Sequence, residues 1–240
     1  MEDECQTRLL APWPRVPFAV NRSLNANHEM YTGGHGYFGK VLPAFGQQAS
    51  YFAMSTAYFL LVGLDTGYSE HDLAGDQVAW LDALLADAGD RKVILFSHHQ
   101  PYSVFEKQGS KLVEKLGKLF DAGRIFAWYW GHEHRCVLYE RGDLGFWGRC
   151  VGHSGYPYFR QDMKSHAVFR TTDHDVRWYS IAKTENTPVA HILDGPNPYV
   201  TDAPAEYGAQ GYASLQLRGP ELYESVHLPN GTIIYENQLA

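Results

Sequence analysis

The chain has 240 residues, 45% of them hydrophobic, enough to bury a sizeable core within one domain spanning 1–240. A formal net charge of -7 leaves no basic footprint for stable binding to nucleic acid or to an anionic membrane surface. Met1-Glu2-Asp3-Glu4 is acidic where a secretory signal is basic, and the uncharged run 51–64 is too short to span a bilayer as a helix.

Periodicity lays out the elements in chain order. Ser50–Ser55 and Tyr58–Leu64 are β-branched or aromatic runs split by a short polar step, which predicts two paired strands. Gln77–Leu85 sets Val78, Leu81, Leu84 and Leu85 at helical spacing behind Asp76, a candidate N-cap, and Lys92–Phe96 is a short apolar strand. The pattern recurs: Lys111–Phe120 places Leu112, Leu116, Leu119 and Phe120 on one helical face, and Ile125–Trp130 follows as a buried strand. Such alternation predicts an α/β sheet. Beyond residue 134 the expectation is mostly β, with strands at Arg135–Glu140, Phe146–Val151, Tyr212–Leu217, Leu222–His227 and Thr232–Tyr235. The Pro-, Gly- and Asn-rich stretch Thr184–Gly211 reads as an ordered, irregular connection.

Several motif matches fail on their context. Gly34, Gly36 and Gly39 have GxGxxG spacing, but no apolar strand precedes them and Pro43 is expected to break the helix that dinucleotide binding requires. Gly152-His153-Ser154-Gly155 has Tyr156 where a nucleophile elbow needs glycine, and the run from His132 to Cys136 lacks the second histidine of HExxH. Cys5, Cys136 and Cys150 are odd in number and form no CxxC pair, so a reducing, cytoplasmic setting is expected.

Histidine carries the specific signal. His98 and His99 follow one predicted strand end, and His132 and His134 follow the next. Ligands gather at the carboxyl ends of strands in open α/β sheets, and clustered imidazoles there suit transition-metal ions. A lone histidine is more often a hydrogen-bonded surface or core residue; four at two adjoining strand ends argue for a metal site.

The segments Asn27-His28-Glu29, Ser97-His98-His99-Gln100-Pro101 and Gly131-His132-Glu133-His134 resemble the later three signature motifs of calcineurin-like metallophosphoesterases, in an order like that of purple acid phosphatases. The resemblance implies a β-sandwich with flanking helices, layered αββα, and hydrolysis of a phosphomonoester or phosphodiester by a metal-activated hydroxide. It further implies that Asn27, His98 and His132 bind one metal, that His134 binds a second, and that His28 is the general acid, with Glu29 orienting it. The ions would be divalent or trivalent, with Fe, Mn or Zn expected, roughly 3.5–4 Å apart. His35, His99 and His153 are candidate substrate contacts. Ala26 stands where the family has glycine, a strained choice if the backbone there is left-handed.

The family's earlier motifs, DxH and GDxx followed by Asp or Tyr, do not occur before Asn27. The chain therefore reads as an N-terminally truncated member lacking the first strands, in the middle of the sheet, and the bridging aspartate. At most one weakly held metal is expected, since two cations on neutral ligands repel. A missing N-terminal segment or self-association would complete it as an enzyme; the alternative is a catalytically inactive metal-binding or interaction domain.

Overall fold

The computed structural model describes residues 2–107 and 110–240. A nine-stranded mixed sheet contains β1 (Phe52–Ser55), β2 (Phe59–Leu64), β3 (Lys92–Ser97), β4 (Ile125–Trp130), β5 (Cys136–Tyr139), β6 (Trp147–Val151), β7 (Ala167–Thr171), β8 (Arg177–Ile181) and β9 (Ala190–Asp194). Their spatial order is β1-β2-β3-β4-β6-β5-β9-β8-β7, and β10 (Tyr212–Arg218), β11 (Glu221–His227) and β12 (Ile233–Gln238) make a separate antiparallel sheet. Three helices recur below: α1 (Asn27–Met30), α2 (Gln77–Ala86) and α3 (Ser110–Asp121).

Strand parity sets the layers. Val93 and Leu95 face the side where Leu81 and Leu85 of α2 and Leu112 and Leu116 of α3 pack, together with Leu64, Trp128 and Trp130. Ile94, with Phe59, Ala127 and Tyr129, faces the opposite side and meets Leu222, Leu239 and the half-buried Leu215 and Leu217 of the second sheet. Each fully buried leucine contributes about 1.5–3 kcal/mol, so both contacts are needed to hold the strands between them.

One buried ion pair pins the two sheets. Arg149 of β6 and Glu224 of β11 are each 1% exposed, and the Arg149 Nε donates to both carboxylate oxygens at 2.8 Å. The Tyr129 hydroxyl donates to Glu224 at 2.6 Å, while Arg149 Nη1 donates to the carbonyls of Tyr139 and Gly148.

Strands β1 to β6 and both long helices fall where the periodicity puts them, within a residue or two. Three expectations are corrected. Thr184–Gly211 is not all irregular: it contains β9, paired with both β5 and β8 and buried except at Asp194. Pro43 does not break the helical run, because it lies in the short turn Leu42–Ala44 where its missing N–H costs nothing. Asp76 occupies the N-cap position of α2 without a side-chain cap bond. The Gln77 side chain instead accepts from the Asp65 amide and donates to the Asp65 carbonyl.

The layering also differs from αββα. Among the described residues the long helices cover only the nine-stranded sheet, and β10 turns Ser214, Gln216 and Arg218 outward to solvent, a polar face that needs no cover. Every adjacent pair of the nine-stranded sheet from β1 to β7 is hydrogen-bonded.

Removing Glu224 strands a buried guanidinium, so Glu224→Leu should cost about 3–5 kcal/mol in urea unfolding, whereas the double variant Arg149→Met with Glu224→Leu should cost far less. A loss below 1 kcal/mol in the single variant would show that the pair does not hold the sheets.

Candidate metal centre

Parallel pairing in register brings four strand ends to one edge. Leu64 of β2 lies opposite Ser97 of β3, Ser97 opposite Trp130 of β4, and Trp130 opposite Cys150 of β6. The residues that follow each strand therefore emerge side by side: Asp65 and Thr66, His98 and His99, Gly131 and His132, Gly152 and His153.

Backbone contacts lock these loops together. The amides of Gly131 and His132 both donate to the His98 carbonyl at 3.0 Å. Thr66 Oγ1 accepts from the His99 amide at 2.9 Å and lies 3.1 Å from its Nδ1. Gly67 is required because a Cβ there would sit 2.7 Å from the Asn25 carbonyl, under the segment that delivers Asn27. Gly152 is required for a similar reason, since a Cβ would collide with the Gly131 carbonyl.

At the mouth of these loops, Asn27 Oδ1 is 2.8 Å from His98 Nε2, which is 3.1 Å from His132 Nδ1. Asn27 is buried, and its amide donates to the Tyr31 hydroxyl at 2.7 Å. Ala26 is extended, with φ -117° and ψ 163°, so alanine carries no strain in place of glycine. Its amide donates to a Glu29 carboxylate oxygen at 3.0 Å, which makes Glu29 a brace for the Asn27 loop and corrects the role expected for it at His28.

His28 is exposed at the other side of the mouth, its ring 5.9 Å from that of His134, 5.3 Å from Tyr31 and 6.1 Å from Tyr156. His134 has a left-handed backbone, φ 52°, a conformation that costs a non-glycine residue about 1–2 kcal/mol. His35 is exposed, and among the described residues no ring contact joins it to these histidines. His153 is fully buried with both ring nitrogens unpaired and has no surface to present to a substrate.

His71, in the loop after β2, is the residue that motif reading misses. Its ring lies 4.0 Å from His99 and 5.4 Å from His132. One ring nitrogen from each of His71, His99 and His132 falls within 4.8 Å of the others, close enough to hold a metal ion. Its sequence signal is positional: a histidine shortly after a strand whose end is level with the ends bearing His98 and His132.

Burial sets the charge state of the group. Desolvation, reinforced by neighbouring imidazoles, pushes His98 down to about 2 and His99 down to about 3. Burial also lowers His71, His132 and His134. The buried rings are neutral at neutral pH and keep their lone pairs for a metal. Glu106 approaches His132 Nε2 at 3.4 Å. Asn27, His98 and His132 thus fit one ion. For two ions the fit fails, since Asn27 brings an amide, the cluster of His71, His99 and His132 brings only imidazoles, and neither set includes a bridging carboxylate.

Burial lowers His153 to about 4, so it is neutral in the fold while the unfolded chain takes up a proton below about 6.5. The unfolded state then binds more protons between about pH 4 and 6.5, and stability falls as pH falls through that window. His153→Leu should reduce the loss of unfolding free energy between pH 7 and pH 4.5 by about 2–3 kcal/mol. An unchanged acid slope would place the acid sensitivity elsewhere.

No family model matches the chain. It is 31% identical over 80 residues to the glycerophosphodiester phosphodiesterase GpdQ of Enterobacter lignolyticus (strain SCF1), an alignment covering 30% of this chain and 28% of that protein. The chain thus spans less than a third of that relative. Among solved structures it superposes on GAP50, the anchor in the inner membrane complex of Plasmodium, with a TM-score of 0.49 and 11% identity over 85% of this chain and 62% of that one. No helix among the described residues is long and apolar enough to cross a membrane. The chain is thus similar over part of its length to a phosphodiesterase, and its mixed α/β fold holds an imidazole cluster close enough to bind a metal ion.

Proposed function

We propose that this chain supplies the Asn27, His98, His132 and His134 share of a metal-dependent phosphoester hydrolase site, with His28 as the group that protonates the departing alkoxide. The observation that carries the reading is the convergence of Asn27 Oδ1, His98 Nε2 and His132 Nδ1 within 2.8 and 3.1 Å at aligned strand ends. The similarity to a glycerophosphodiester phosphodiesterase favours a phosphodiester over a monoester.

An ion of the Fe, Mn or Zn class bound there would supply Lewis acidity toward a phosphoryl oxygen and acidify water. The chain's own residues do the rest. The amide of Asn27 is held by Tyr31, so its carbonyl oxygen stays aimed at His98. Glu133, buried, accepts from Ser103 at 2.7 Å and from the Trp130 indole at 3.0 Å, which fixes the turn between His132 and His134. His28 is exposed and flanked by the Tyr31 and Tyr156 rings, open to a leaving group arriving from solvent. A second reading, a non-catalytic metal-binding domain, draws on the all-imidazole make-up of the His71, His99 and His132 cluster.

Turnover of a bis-aryl phosphodiester with excess Mn2+ should be near background for the chain alone. It should appear when a segment carrying the DxH and GD strands is supplied, and then fall at least about a hundredfold in Asn27→Ala and His28→Gln. Turnover by the chain alone that His132→Ala abolishes would mean that no further carboxylates are needed. Silence in both settings with metal bound would establish the non-catalytic reading.

A further inference from the structure

Two sets of ligand atoms share one ring. His132 turns Nδ1 toward His98 Nε2 at 3.1 Å and Nε2 toward Glu106 at 3.4 Å. On the first side lies the Asn27 and His98 set. On the second, with Nδ1 engaged, Nε2 is the nitrogen left for His71 and His99, whose rings lie 5.4 and 4.5 Å from that of His132.

The sets differ in how well their polar atoms are satisfied. Asn27 Oδ1 and His132 Nδ1 both lie within hydrogen-bonding distance of His98 Nε2. His71 Nδ1 and His99 Nε2 are buried with no partner at all, and His99 is 0% exposed. A buried unpaired polar atom costs about 1–3 kcal/mol, and two such nitrogens beside a third imidazole are what a cation would satisfy. The sets differ in charge as well: Glu106, 3.4 Å from His132 Nε2, offers that side a carboxylate that would offset part of a dication's charge.

We infer that His71, His99 and the Nε2 of His132 form a second metal site, with Glu106 as its anionic partner, distinct from the Asn27 and His98 set and competing with it for His132. A neutral imidazole has one free lone pair. When Nε2 holds the ion, the ring proton sits on Nδ1, which then has no lone pair to offer the Asn27 and His98 set, so His132 serves one set at a time. Three imidazoles and a carboxylate suit Zn2+ or Co2+ in four-coordinate geometry. The inference does not depend on phosphoester hydrolysis.

The test is Co2+ titration of the full chain followed by visible absorption, with Zn2+ displacement as a check. One equivalent should give the intense bands of four-coordinate Co2+. His71→Gln and His99→Gln should each weaken binding at least about tenfold, and Glu106→Gln by a smaller factor. Asn27→Ala and His98→Gln should leave it within about threefold. Loss of binding in Asn27→Ala and His98→Gln with retention in His71→Gln would overturn the assignment, as would a folded wild-type chain that takes up no Co2+. Circular dichroism reports folding; His99 is buried against Thr66, and if its replacement unfolds the chain, the half-exposed His71 decides alone.

Discussion

Everything at the site depends on four parallel strands ending level. Parallel neighbours need a crossover, and here α2 carries the chain from β2 to β3 and α3 from β3 to β4. Both helices pack on the same face, so Leu64, Ser97, Trp130 and Cys150 arrive in a row and the next residues of each strand meet. A one-residue slip of any strand would exchange its two faces, driving Val93 and Leu95 away from the helices, and would also carry its histidine out of the cluster. Packing of the core and placement of the imidazoles are therefore one constraint. Gly67 and Gly152 extend it from the strands to the loops, since each marks a place where two backbones touch.

The same interior treats its polar groups in two opposite ways. Arg149 and Glu224 are almost fully buried, but Glu224 of the second sheet is met by Arg149 and Tyr129 of the first and Arg149 also bonds its own sheet's carbonyls, so the pair stitches the layers together. The histidines are packed with fewer partners than they have nitrogens. Crowding neutral rings so that protonating one disfavours protonating the next stores no stability; it keeps lone pairs exposed to one another across a small space. A core built only for folding would have filled these positions with apolar side chains or paired every nitrogen. Among the histidines the unpaired nitrogens lie in the loops beyond the strand ends, where a left-handed His71 and a left-handed His134 also sit.

How much of this was legible follows from what each residue pattern encodes. The runs at Lys92–Phe96 and Ile125–Trp130 are buried on both faces, so hydrophobicity alone marks them, and the histidines just past their ends were readable as a cluster before any coordinates. The strand β9 was hidden because its five residues are flanked by Pro188 and Pro196, and loop composition outweighed Ile192 and Leu193. The strand β7 is exposed along its whole length and carries no burial pattern to read. His71 belongs to no motif; only the pairing of β2 with β3 brings its loop to the cluster. His153 is likewise just beyond a strand end, and it differs in being fully buried, with Gly211 so close that a Cβ there would sit 2.9 Å from its Nε2.

Charge decides how many ions such an arrangement can hold. Two unit charges 4 Å apart repel by about 4 kcal/mol at an effective dielectric of 20, and two dications multiply that fourfold. Imidazole and amide ligands offset none of it, because they bring dipoles and no net charge. A pair of ions roughly 4 Å apart therefore needs anions between them, which is the part a bridging carboxylate plays. Among the described residues the converging ligand group is His71, His99 and His132, all neutral, and the carboxylate that reaches it, Glu106, does so from one side only. It can neutralise one ion but cannot lie between two. The charges thus allow these residues no more than one ion, and any chemistry that needs a second must draw its anions from outside the group.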